Sequence, residues 1–183
     1  MTNDRLYESK NDAQNNFIKN KDFIQVVTFK LHTEEYAIEI TKVKEIIWFK
    51  GVTRIPQVPD FIEGIINLRG NIIPVIDLRK RFNLSKAERN DQTRIMITRM
   101  EAKIIGLIVD SVSEVMKISK SQIQEPPETI ASLAGEYLLG IGKVKDRMIT
   151  LLDIEKILSA SEKDVIRLDK NKIEQIETKN EGE

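Results

Sequence analysis

Apolar residues along this chain fall into short runs with turn residues between them, and the runs carry the period of strands. Phe23 to Leu31 alternates, with Val27, Phe29 and Leu31 on one face. His32 to Glu35 is a polar turn, and Tyr36, Ile38 and Ile40 continue as the partner strand. Thr41 is placed to cap a short helix through Val43, Ile46 and Ile47, which share a face at helical spacing. Gly51, Pro56 and Pro59 interrupt the next stretch, leaving one short extended piece around Thr53 to Ile55. The segment from Gly64 to Phe82 then reads as strand, tight turn, strand and short helix. Asn67, Arg69, Gly70 and Asn71 supply the turn, because Gly and Asn tolerate positive φ. Asp77 is placed to cap the helix that begins at Leu78.

Beyond a polar link from Asn83 to Gln92, Thr93 to Met100 and Lys103 to Val109 read as a hairpin, and Val112 to Ile118 as a further strand. Ser119 to Gly135, with Pro126 and Pro127, reads as a long loop. Tyr137 to Leu152 is a closing hairpin, after which Asp153 caps a helix through Leu158. The polar N-terminal residues form a mobile tail or a frayed helix. In the C-terminal residues Val165, Leu168, Ile173 and Ile176 stand among many charges, which fits a weak amphipathic helix or disorder.

The pattern repeats. Gly140 falls on Gly64 at a shift of 76, and the same shift sets Asp153 on Asp77 and Lys156 on Lys80. Tyr36 to Ile47 matches Ile105 to Met116 at a shift of 69, with Val112 on Val43 and Glu114 on Glu45. We read an internal duplication of about 70 residues. Short strands, glycine turns and single-turn helices argue for a mainly β fold, two small barrels packed on a shared core, rather than βαβ units. The expected layout is a tail over 1–22, one domain over 23–160 with halves of about 23–85 and 93–160, and a polar tail over 161–183.

Charge narrows the function. Twenty-nine basic side chains balance twenty-nine acidic ones, so no overall basic field favours nucleic acid or a membrane surface. With no cysteine, disulfides and thiolate metal sites are excluded. No apolar run approaches the roughly 20 residues needed to span a bilayer, and no secretory signal begins the chain, so a cytoplasmic location is expected. The single histidine, His32, lies in a turn beside Glu34 and Glu35 and reads as an exposed turn residue. Asp77, Asp110 and Asp153 each follow an apolar run, where capping or strand ending explains them more simply than catalysis. Phosphate-binding glycine patterns are absent, and aromatics are too few for a base-stacking platform. We expect a binding module with no catalytic residues, cofactor or metal. A small nucleic-acid-binding barrel, or a hydrolase using Asp77 or Asp153, stand as the other readings. Arg69, in a glycine turn between apolar strands, reads either as a solvated turn arginine or, more sharply, as a guanidinium fork held by a carboxylate, with Glu45 on the short helix as the candidate partner.

The run V-P-D-F-I-E-G-I-I-N-L-R-G-N-I-I-P-V-I-D-L-R from Val58 to Arg79 closely resembles the CheW family of chemotaxis coupling proteins. So do Glu34 to Ile46, Gly106 to Val115 and Asp146 to Leu158, and the resemblance covers about Phe23 to Ser159. It implies two SH3-like five-stranded barrels and a non-catalytic adaptor in receptor arrays beneath the membrane. The adaptor joins the cytoplasmic tips of methyl-accepting chemoreceptors to the regulatory domain of the histidine kinase CheA, with no nucleic acid and no insertion into the membrane. By position it implies a receptor-facing groove involving Val43, Glu45, Gly64, Arg69 and Gly70. It further implies a kinase-facing loop that includes Ile123, Gln124, Pro126, Pro127, Thr129 and Ile130. Relatives often place an aromatic residue near the end of that loop, where this chain has Thr129 and Ile130.

Overall fold

A computed structural model describes residues 22–129, 137–164 and 166. The strands are β1 (Phe23–Leu31), β2 (Glu34–Glu39), β3 (Val43–Trp48), β4 (Ile62–Leu68), β5 (Asn71–Asp77), β6 (Arg94–Met100), β7 (Lys103–Val109), β8 (Ser111–Ser119), β9 (Ile123–Gln124), β10 (Leu138–Val144) and β11 (Arg147–Leu152). A short helix, α1 (Leu78–Arg81), follows β5, and 3₁₀ turns occupy Ile40–Lys42, Lys120–Gln122 and Ile154–Lys156.

The duplication is real and interleaved. One sheet runs β8-β1-β2-β11-β10-β9 and the other β3-β6-β7-β5-β4. At the two shifts found in the sequence, β8 answers to β3, β1 to β6, β2 to β7, β11 to β5 and β10 to β4, so the two strand orders match. The parallel pairs match as well: Leu151 faces Ala37 in one sheet and Val75 faces Gly106 in the other. Each sheet therefore takes its first hairpin from the opposite half of the chain. The expected division into 23–85 and 93–160 is not the division of the sheets. The polar link ends where β6 and β7 cross over to complete the first barrel, while β1 and β2 complete the second.

Strand alternation explains the packing. Along β1, Val26 faces the interior of its own barrel with Ile118, Ile149 and Leu151. Val27, Phe29 and Leu31 face the shared core with Ile38, Ile76, Met96, Leu107 and Leu152. Along β6, Ile95 and Ile97 fill the other barrel with Ile73, Val75 and Ile108. Burial of side chains this size stabilises by about 1.5–3 kcal/mol each, so the shared core between the barrels is the main support of both.

Three local expectations are corrected. The stretch from Val43 to Trp48 is a strand and not a helix, and its side chains alternate between half-buried and exposed. The same apolar residues fit both periods, and pairing with β6 selects the extended one. The loop after Ser119 contains a 3₁₀ turn and β9, which pairs with β10. Asp153 caps only a three-residue 3₁₀ turn, Ile154–Lys156. The expected N-terminal tail lies, apart from Asp22, outside the described residues. The C-terminal residues are described as a helical turn over 160–164 and as Ile166, with 167–183 outside.

Candidate functional site

The hairpin β4–β5 turns on two residues, Arg69 and Gly70, with φ of 54° and 84°. Two positive φ values in a two-residue loop match the twist of the flanking strands. The Asn67 side chain closes the turn by accepting from the Gly70 N–H at 2.9 Å. Arginine holds the left-handed backbone less readily than Asn or Gly would. What it brings is reach. Its guanidinium donates to both oxygens of Glu45, Nη1 to Oε1 at 2.9 Å and Nη2 to Oε2 at 3.0 Å. Glu45 points from β3, an edge strand of this sheet, and the turn belongs to β4, the other edge. The bidentate fork thus ties the two open edges of the barrel together. Arg69 remains three-quarters exposed while doing so.

Beside the fork lies an apolar groove of about 450 Å³. Glu45 and Arg69 line it, together with Val58, Ile62, Ile65 and Leu68. The β6–β7 turn at Ala102 and Lys103 closes one part of it. Lys44 and Lys103 add positive charge to its lining. A groove with an apolar floor and a bidentate polar wall suits a helical segment with one apolar face. Of the residues expected at this site, Glu45 and Arg69 come together. Val43 turns inward and packs against the shared core. Gly70 has open space around its Cα. Gly64 has φ of 152°, and a Cβ there would stand 2.2 Å from the Thr53 carbonyl oxygen. The backbone that needs Gly64 bare is the chain's own: Thr53 and Ile65 exchange N–H···O bonds of 2.9 and 2.8 Å. The groove residues Val58, Ile62 and Leu68 do not stand out in the sequence, where they read as ordinary core.

The three aspartates are structural. Asp77 Oδ1 accepts from the N–H groups of Arg79 and Lys80, and Oδ2 accepts from Arg89 at 2.8 Å. Asp110 accepts both arms of Arg79, at 2.7 and 2.5 Å, and the backbone N–H of His32 at 2.7 Å. Asp153 Oδ1 accepts from the Glu155 N–H. His32 stands at φ 57° in its turn, exposed. Arg89, inside the polar link, donates to buried Glu63 at 2.9 Å and lies 4.4 Å from the centre of the Phe49 ring. Lys80 Nζ takes the other Glu63 oxygen at 2.7 Å. Burial alone pushes the Glu63 carboxyl up, but Arg89 and Lys80 outweigh it and hold the group below its ordinary value. Among the described residues no cluster of three or more His, Asp or Glu is placed to hold a metal ion.

On the second barrel, Ile123 pairs with Gly142 and Gln124 with Ile141. Ile123 packs against that barrel's interior, so it is half-buried and not a free surface residue. Gln124, Pro127 and Thr129 are exposed, and Pro126 is half-buried. Ile130 lies outside the described residues. No helix among the described residues is long and apolar enough to cross a membrane.

Comparison with known proteins agrees with this architecture. Residues 25–162 match the CheW-like domain. A chemotaxis protein CheW from Klebsiella aerogenes is 43% identical over 138 residues, which cover 75% of this chain and 83% of the relative. The CheW of Bacillus subtilis is 37% identical over 134 residues, covering 73% and 86%. The crystal structure of the scaffolding protein TtCheW from Thermoanaerobacter tengcongensis superposes with a TM-score of 0.70 at 40% identity, covering 76% of this chain and 94% of that one.

Proposed function

The chain belongs to the CheW-like domain family of chemotaxis scaffold proteins, and from that membership we propose that it is a non-catalytic adaptor joining chemoreceptor tips to the histidine kinase CheA in the cytoplasm. The observation that carries this reading is the Glu45–Arg69 fork beside the apolar groove. A receptor tip is a helical hairpin, and the groove offers it apolar area with a fixed polar wall. The fork orients that wall: each guanidinium arm is committed, so the surface keeps one shape as the partner docks. The kinase's regulatory domain meets the far end of the second barrel, through Gln124, Pro126, Pro127, Thr129 and Ile130, with β9 seated by Ile123. Kinase-facing surfaces lie at opposite ends of the two barrels, and this loop is the part of them on the second.

The test is kinase autophosphorylation with receptor signalling fragments, with and without this protein. Stimulation that requires both the receptor fragment and this chain supports the coupling role. An unchanged rate with folded protein and the cognate kinase sinks it. Arg69→Glu then asks whether the groove is the receptor face: it should abolish the stimulation while leaving direct kinase binding intact.

A further inference from the structure

One residue of β3 has no opposite number on the strand it pairs with. Val43 stands opposite Thr98 and Glu45 opposite Ile97, so Lys44 is the extra residue of a bulge. In a regular strand Lys44 and Glu45 would point to opposite faces. A bulge bends the strand and re-aims its side chains, and here both residues line the groove. The second barrel has the same bulge. Glu114 stands opposite Thr28 and Val112 opposite Phe29, which leaves Ser113 as the extra residue of β8. Ser113 is the repeat partner of Lys44 at the shift of 69. The bulge therefore belongs to both barrels, and the ammonium group belongs to the one with the groove.

The charge around the groove is one-sided. Lys44, Arg69 and Lys103 line it, with Glu45 as the one acid among the lining residues. Glu45 already accepts from both arms of Arg69, and Lys103 donates to the Lys163 carbonyl at 2.7 Å. Lys44 is exposed, and no described residue pairs with it. A lysine on an open edge strand also discourages unwanted strand pairing, but that needs only exposure and not a place in the groove.

We infer that Lys44 sets which helices the groove accepts: those that carry a carboxylate beside their apolar stripe, in preference to those with a basic flank. The inference names the chemistry of the groove's partner, and for receptor tips it rests on the function proposed above.

The test uses two synthetic helical peptides with the same leucine stripe at i, i+3 and i+7, one flanked by glutamate and the other by lysine. Each is titrated against the full chain by fluorescence anisotropy. The glutamate peptide should bind about tenfold more tightly at low salt, because like charges side by side are penalised. Added salt should narrow the gap. Lys44→Met keeps the length and drops the charge, and should bring the two affinities close together. Lys143→Met, at an exposed lysine on β10, is the control and should leave the gap as it is. Equal affinities for the native chain, a gap undiminished in Lys44→Met, or no measurable binding of either peptide overturns the inference. A receptor-tip fragment, titrated alongside, separates the two readings. Glutamate preference with no binding of the fragment keeps the selectivity of the groove and removes the receptor from it. Binding of the fragment with no preference between the peptides does the reverse.

Discussion

Glu45 and Glu114 stand at matching places on matching strands, β3 and β8, and each takes a guanidinium, but not from matching places. Glu45 is held by Arg69, from the turn between β4 and β5. The residue that answers to Arg69 in the second barrel is Lys145, at φ 56° in its own turn. Glu114 is instead held by Arg147, the first residue of β11, at 2.6 Å. Arg147 also takes both oxygens of Glu35 on β2, one of them at 3.0 Å. Donating hydrogen bonds first to Glu35 and then to Glu114, the guanidinium is pushed above its ordinary value. One barrel thus closes with a three-part cluster that joins β11 to its neighbour β2 and to the edge strand β8. The other closes with a single exposed fork on a strained turn beside an apolar groove. The first barrel's is the more exposed of the two closures, its guanidinium 75% exposed against 42% for Arg147.

The largest effect that sharpens this contrast lies behind the two hairpins. Gly64 and Gly140 are repeat partners, and each is crossed by an extra piece of chain. At Gly64 the crossing group is backbone, the Thr53 carbonyl 2.2 Å from an added Cβ, and φ is 152°. At Gly140 the nearest atom is a side-chain methyl of Ile123 at 2.7 Å, with the Gln124 carbonyl at 3.0 Å. Gly64→Ala should therefore cost about 3 kcal/mol or more, and Gly140→Ala about 1–2 kcal/mol. Urea unfolding of the two variants reads the difference. Equal losses would mean that the Thr53 crossing yields as easily as a side chain.

Next in size is the charge cluster of the first barrel, which among the described residues has no counterpart in the second. The repeat partner of Glu63 is Leu139, which is exposed. Arg89→Met leaves Glu63 and Asp77 short of a partner in a buried place, at a cost of about 2–3 kcal/mol. The sign with pH is set by Glu63. Its folded value lies below the ordinary 4.5, so its contribution is present above that value and is lost as pH falls through the folded one. In Arg89→Met burial acts with only Lys80 opposing it, so the acid-side loss should shrink or reverse. Unfolding midpoints at about pH 7 and about pH 4 check this. A variant that keeps the native loss in acid argues against Arg89 as the main counter-charge.

These clusters also show what is legible in the sequence. The repeat at Gly64 and Gly140, the Asp77 cap and the Arg69–Glu45 pair can be read because each rests on local chemistry: turn backbone, capping geometry, a fork seeking a carboxylate. Val43 to Trp48 misleads because its apolar residues satisfy the helical and the extended period together, and only β6, about 50 residues further along, decides. The exchange of β1–β2 for β6–β7 is invisible for a related reason. Repeats that are alike can complete either barrel, and nothing in a strand's own residues states which. Arg89 reads as part of a polar link because no turn glycine or cap sets it apart from the charged residues around it, although Asp77 and Glu63 lie about as near to it along the chain as Glu45 does to Arg69.

A smaller effect separates the two closures themselves. Arg147→Asn removes hydrogen bonds to two carboxylates and leaves Glu35 and Glu114 without their shared cation. Because the guanidinium is partly exposed, solvent screening limits the cost to about 1 kcal/mol. The loss should decline further in high salt. A loss well beyond that would show that the second barrel depends on this cluster more than on its apolar interior.

The smallest expected change in stability is the most telling one. Arg69→Asn breaks an exposed ion pair worth about 0–1 kcal/mol. It also replaces a residue strained at φ 54° by one that accepts that backbone, recovering about 1 kcal/mol. The two nearly cancel, so the variant should unfold at close to the native urea midpoint. Coupling should weaken, because the polar wall of the groove is gone. Receptor-dependent kinase stimulation is expected to fall by about fivefold to a hundredfold, the range that corresponds to about 1–3 kcal/mol. The reciprocal swap Glu45→Arg with Arg69→Glu sharpens the point. If the fork acts by direct pairing, the double variant regains part of what Arg69→Glu loses. Strict additivity in the cycle would mean that each residue meets the partner separately. Asn at position 69 that weakens folding and leaves stimulation untouched would reverse the contrast, making the fork a closure like that of Arg147.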